Sequence, residues 1–153
     1  MPETQSTAPE GVNTSRLVLV TDGEWAGWHR WAAEEPFEDL TGPFHLRWED
    51  GQVVCGFRVE PKNLNGWGNC HGGALLTFAD YALFMIAENG APVGGVTVTM
   101  ASEFVGPGRA GALLTARGEV TRKGGSLIFV RGKISDGEEP VLTFSATIKK
   151  LRG

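Results

Sequence analysis

The chain has 153 residues, 41% of them apolar, with 22 glycines, two cysteines and a formal charge of −4. This suits one soluble domain with a substantial core, and the acidic balance argues against broad nucleic-acid binding, which needs a strongly basic face. Cys55 and Cys70 make neither a zinc cluster nor a disulfide framework, and the missing signal peptide and membrane span set a cytoplasmic location as the expectation.

Residues 1–15 are polar, contain proline and lack aromatic side chains, which predicts a disordered tail ahead of a single domain over 16–153. Leu17–Val20 is a short apolar run, an edge strand or the lead-in to a helix. Asp22 can cap a helix over about 24–35 that Pro36 stops. Trp25, Trp28 and Ala32 would then share one face, so a helical extension is expected over about 22–36. From Gly42 the pattern alternates: Phe44, Leu46 and Trp48, a turn at Glu49-Asp50-Gly51, then Val53–Val59. That is a β-hairpin.

Asn65–Glu88 reads NGWGNCHGGALLTFADYALFMIAE. Its second half has no proline and is rich in small and straight-chain residues, which predicts a helix of about four turns. Apolar residues fall on nearly every side of it, so it should be buried, and Asp80 should sit in a mostly dry setting. A buried carboxylate needs a structural partner or a chemical task. Backbone amides or Thr77 could satisfy it; His71, Gly72 and Gly73 at the helix start favour chemistry, because bare N–H groups there suit a developing oxyanion. His71 and Asp80 are nine residues apart, roughly 13 Å along a helix and about half a turn of the wheel out of phase. They cannot share a site within one chain, so if both act, a two-fold dimer must pair the His71 end of one copy with Asp80 of another. Cys70 beside His71 reads as a small buried residue rather than a thiol nucleophile.

Asn89-Gly90-Ala91-Pro92 breaks the helix. Four strands follow, over about 95–105, 112–122, 127–135 and 141–151, with Leu142, Phe144, Ala146 and Ile148 on one face. The order predicts an α+β fold, an antiparallel sheet of about six strands curled around one long central helix, with an extra N-terminal helix. No metal-ligand spacing is present.

Asn65, His71-Gly72-Gly73 and Asp80, set between a hairpin and four strands, resemble the hotdog-fold acyl-CoA thioesterases of the phenylacetate-pathway (PaaI-type) branch. The resemblance covers about residues 40–153, with the GPGRAG and TRKGGSL stretches. It implies Asp80 as nucleophile or general base, the Gly72 N–H as oxyanion donor, and His71 orienting the helix start and the thioester carbonyl. Asn65 would position the carbonyl or the water, and Thr97 would hold the water. It also implies that the segments Phe104–Arg109 and Arg122–Leu127 follow coenzyme A. The expected binding set is therefore Gly73, Phe104, Arg109, Arg122, Lys123, Gly124, Gly125, Ser126 and Lys150. No cofactor is expected, since coenzyme A belongs to the substrate; no metal, nucleic-acid or membrane partner is expected. A homodimer or a dimer of dimers is. The chemistry agrees, because a thioester has a good leaving group and needs a carboxylate and oxyanion donors. A dehydratase or hydratase of the same fold, or an acyl-CoA sensor without turnover, are the alternatives.

Overall fold

The apolar stretch around Asp80 is helical, as expected: α2 spans Gly72–Ala87. The computed structural model describes residues 7–152. Around α2 lies one antiparallel sheet built from β1 (Leu17–Leu19), β2 (His29–Trp31), β3 (Phe44–Glu49), β4 (Gln52–Arg58), β5 (Gly95–Phe104), β6 (Leu113–Lys123), β7 (Leu127–Asp136) and β8 (Glu139–Lys150). Their order is β1-β2-β3-β4-β6-β7-β8-β5. β1 and β5 are thus the free edges. A short helix, α1 (Pro36–Thr41), packs against α2.

The six long strands and the hairpin stand where alternation put them. Leu142, Phe144, Ala146 and Ile148 all face the core, as a half-buried strand of period two requires. Two glycines let the sheet close on the helix. A Cβ on Gly118 would meet Ile86 Cδ1 at 2.9 Å, and one on its cross-strand partner Gly132 would meet the Phe144 ring at 2.5 Å. At the far end of α2, Asn89 ties helix to hairpin: its Oδ1 accepts from the Val53 N–H (2.8 Å) and its carbonyl from the Trp48 indole (2.9 Å).

The N-terminal segment departs from expectation. No helix covers 22–36. β1 and β2 add two short strands to the expected six, and the bend between them places Gly23 and Gly27 at φ +74° and +88°. The spacing of Trp25 and Trp28 imitates a helical face, but both rings pack over Gly56, which has no Cβ to exclude them. Trp25 stacks on His45 at 4.2 Å and Arg47 lies over Trp28 at 4.3 Å. Pro36 begins a helix instead of ending one, since its fixed φ suits the first helical position. The tail is also partly built. Residues 1–6 lie outside the described residues, but Ala8 and Val12 pack against the core and the Val12 N–H bonds the Pro9 carbonyl. These nonlocal contacts outweigh the polar composition of the segment.

His45 is buried with its Nδ1 unpaired; burial, reinforced by Arg30, lowers its pKa to about 4. A histidine that stays neutral in the fold but takes a proton when unfolded withdraws stability as pH falls. Stability should therefore be undiminished by this group above about pH 6.5 and be lost progressively toward pH 4, by up to ~3 kcal/mol. Urea unfolding of wild type and His45→Phe between pH 7 and 4 should show the gap shifting in favour of the variant on acidification. A pH-independent gap would contradict this.

Candidate functional site

The start of α2 is fixed from three sides. His71 is the N-cap, and its Nδ1 accepts the Gly73 N–H at 2.8 Å. The His71 N–H donates to the Asn63 carbonyl (2.7 Å), and the Cys70 N–H to the Gly108 carbonyl (2.6 Å). Gly72 stands in the first turn, where an N–H has no intrahelical acceptor, and the Phe104 ring lies 3.1 Å from where its Cβ would be. The Gly72 N–H therefore stands at the open end of the helix. Asn65 is committed locally: its Oδ1 accepts from the Trp67 and Asn69 N–H groups at 2.9 and 3.2 Å. Burial pushes the Cys70 thiol up to about 11, so it is no thiolate at neutral pH.

Asp80 is half-buried, not dry as the all-round apolar pattern implied. Leu76, Thr77, Asp80 and Phe84 form one face of α2 that the sheet does not cover. The carboxylate lines a cavity of about 460 Å³ with Trp31, Glu35, Glu38, Tyr81, Phe84, Met85, Val93, Gly95, Val96 and Thr97. Its partner is not Thr77, whose hydroxyl bonds the Gly73 carbonyl. The Thr97 hydroxyl donates to Asp80 Oδ1 at 2.6 Å. A register shift between Thr97 and Thr99 makes this possible, because a bulge re-aims the strand that carries the side chain.

One chain does not assemble the expected set. Gly72, Gly73, His71, Phe104 and Arg109 cluster at the N-terminal end of α2; Arg109 bridges to Asn69. Lys123 pairs with Glu88 (2.7 Å) just beyond the other end, and the Lys150 N–H bonds the Ser126 carbonyl beside the Gly124-Gly125 turn. The two groups are thus separated by the length of the helix, roughly 24 Å. A second cavity, of about 280 Å³, opens beside His71 and is walled by Phe37, Leu40, Thr41, Lys62, Asn63 and Thr77. A larger surface depression of about 820 Å³ crosses β5–β8, but its Arg131 and Arg117 are engaged by Glu119 and Glu49.

Trp31, Glu35 and Glu38 were not legible as site residues, because only the fold of 29–41 delivers them to Asp80. Among the other large aromatics, Trp25 and Trp28 lie over Gly56, Phe78 is in the core and Trp67 is 91% exposed. Desolvation, aided by Glu35, Asp80 and Asp39, raises the Glu38 carboxyl from 4.5 to about 7. Among the described residues, no group of three or more His, Cys, Asp or Glu is placed to hold a metal ion, and no helix is long and apolar enough to cross a membrane.

Residues 68–143 match the thioesterase superfamily. The chain is 34% identical over 115 residues to a putative esterase of Pseudomonas aeruginosa, which spans 72% of this chain and 84% of that one. It is 31% identical over 100 residues to the acyl-coenzyme A thioesterase PaaI of Escherichia coli, spanning 65% of this chain and 71% of the relative. A hypothetical thioesterase of Streptococcus pneumoniae, solved with coenzyme A, superposes with a TM-score of 0.63 at 25% identity over 71% of this chain and 85% of that one.

The cap can be tested apart from any chemistry. His71→Ala should lower stability by ~1 kcal/mol in urea unfolding, while His71→Asn, a good capping residue, should recover most of the loss. Equal losses in the two variants would mean that the Nδ1 bond does not hold the helix start.

Proposed function

As a member of the PaaI-type, hotdog-fold branch of the thioesterase superfamily, this chain is an acyl-CoA thioesterase, and we propose that each of its sites is built from two copies. Asp80 and Thr97 come from one, and the helix start at His71-Gly72 from the other.

The observation that carries this reading is the layout of β5. Thr97, near its beginning, bonds Asp80, and Phe104, at its end, covers Gly72. β5 is also a free edge ten residues long, and it exposes Val96, Val98 and Phe104. A long apolar edge invites pairing with another strand. Antiparallel pairing of β5 with its copy, centred on Ala101, sets Thr97, with Val98 bulged beside it, opposite the partner's Phe104. The carboxylate of each subunit then meets the bare N–H groups of the other, and the separation along α2 is resolved. The same pairing gathers Arg109 of one copy toward the Arg122–Ser126 turn and Lys150 of the other, where coenzyme A phosphates would lie.

Within such a site, Trp31, Tyr81, Phe84, Met85 and Val93 wall the chamber for the acyl group. Asp80, held on one oxygen by Thr97, either takes a proton from the water that adds to the thioester carbonyl or adds to it directly, forming an acyl-Asp80 anhydride that water then cleaves; both routes release the carboxylic acid and pass the proton to the departing thiolate. The Gly72 N–H, at the positive end of a helix, takes the charge that develops on the carbonyl oxygen. The C–S bond then breaks, with its electron pair leaving on the coenzyme A sulfur.

Release of free thiol from a panel of phenylacetyl, benzoyl and short and medium straight-chain CoA esters tests the assignment. Asp80→Asn should lower kcat by ~100-fold or more with the fold intact. Unchanged turnover would make Asp80 structural, and coenzyme A binding without hydrolysis by wild type would favour the sensor.

A further inference from the structure

α1 is amphipathic in the wrong sense. Of its six residues, only Glu38 and Thr41 are withdrawn from solvent, while Phe37 and Leu40 are 70% and 73% exposed. A helix that packs for stability alone turns its apolar side inward. Here an acid is turned inward, and it lines the cavity that holds another acid, Asp80. The charged groups that face Glu38 are Glu35 and Asp39 on its own helix and Asp80 on α2. Lys62, in the neighbouring cavity under the same helix, is held by Glu60 at 3.5 Å. No cation offsets the cluster among the described residues.

A second, independent observation points to a ligand in this chamber. Tyr81 lines it and is 4% exposed, and its hydroxyl has no hydrogen-bond partner among the described residues. A buried donor left unpaired is destabilising. Its retention beside two carboxyl groups fits a chamber that is completed by substrate or water during turnover.

We propose that Glu38 is a positioning residue of the thioesterase centre, the second member of a two-carboxylate pair in which Glu38 carries the proton and Asp80 the charge. This rests on the thioesterase reading. Asp80 accepts the Thr97 hydroxyl, whereas Glu38 has no such donor among the side-chain bonds of the described residues. The two acids thus sit in unlike environments, an arrangement that divides acid and base roles between neighbouring carboxyl groups. Were Glu38 also ionised, its charge would oppose the negative charge developing on the carbonyl oxygen and then on the leaving sulfur. The neutral acid therefore keeps the chamber at one negative charge, the one that does the work. Glu38 lies outside the segment that matches the family, residues 68–143.

The test is the pH profile of hydrolysis, measured on the full-length protein with the best CoA ester of the panel between pH 5 and 9. Wild type should lose activity on the alkaline side with a midpoint near 7, a macroscopic value that belongs to the pair. Glu38→Gln, neutral at every pH, should abolish the alkaline fall; Glu38→Asp, which can still ionise, should keep it. A purely structural Glu38 would not move this limb. Thermal melts supply a readout free of substrate. A carboxyl that titrates near 7 when folded and near 4.5 when unfolded withdraws stability as pH rises through that window. Glu38→Gln should thus melt higher than wild type at pH 8, with the gap closing toward pH 4.5. An alkaline limb unchanged in Glu38→Gln, or no gap in the melts, overturns the proposal while leaving the thioesterase intact. A wild type inactive on every thioester overturns the reading on which it stands.

Discussion

The structure is governed by the stiffness of α2. Sixteen helical residues hold the bare N–H groups of the first turn and the Asp80 carboxylate in the third turn at a fixed separation of roughly 13 Å. No side-chain motion closes that gap within one copy. Every other feature of the site answers to it. β5 runs beside the helix and touches both centres, Thr97 at Asp80 and Phe104 at Gly72. Because that strand is an edge, an antiparallel copy of itself is the shortest way to bring unlike ends together. On the proposed reading, that pairing would satisfy the strand's open hydrogen-bonding groups, cover its exposed valines and complete two sites at once, which would make assembly and catalysis one property of the same strand.

The interior and the chamber follow opposite rules. Under the sheet, packing is close enough that Gly118 and Gly132 leave no room for a methyl group, and Leu46, Phe57, Phe78 and Leu83 are fully buried. Around Asp80, acids face one another, a tyrosine hydroxyl goes unpaired, and a helix shows its apolar side to water. Such violations lower stability and persist where a function holds them in place. The facing acids and the unpaired tyrosine share one cavity, next to a face of α2 that the sheet leaves uncovered.

Long, regular elements were legible because period-two and helical patterns survive whatever packs on them. The hairpin Phe44–Arg58, α2 and the four later strands stand within a few residues of their expected bounds. His71 at the helix start, and Asp80 as the residue needing explanation, were also readable from local chemistry. The N-terminal segment was not. Trp25 and Trp28 are spaced like a helical face, yet their partners are His45, Arg47 and the bare backbone of Gly56, all on a hairpin far along the chain. The Thr97–Asp80 bond depends on a strand irregularity at Val98, and Glu38 reaches the chamber through the way α1 lies on α2. Neither leaves a local pattern, since both are set by tertiary geometry.

Charge distribution adds one more constraint on how an acidic protein can hold a polyanionic ligand. Lys123, expected to serve coenzyme A, is engaged by Glu88 at 2.7 Å. A phosphate that recruits it must therefore displace or share it with that carboxylate, and a partly exposed pair of this kind contributes little that a phosphate could not match. The pair also anchors the β6–β7 turn to the end of α2, so its more economical role is to aim Arg122 and the Gly124-Gly125 backbone outward. Arg109 sits at the opposite end of the helix, on the loop whose Gly108 carbonyl holds Cys70. The cations best placed for phosphate are thus tied, by short backbone contacts, to the two ends of α2. The helix that separates the reacting groups also separates the charges, and the pairing of β5 that reunites the first reunites the second.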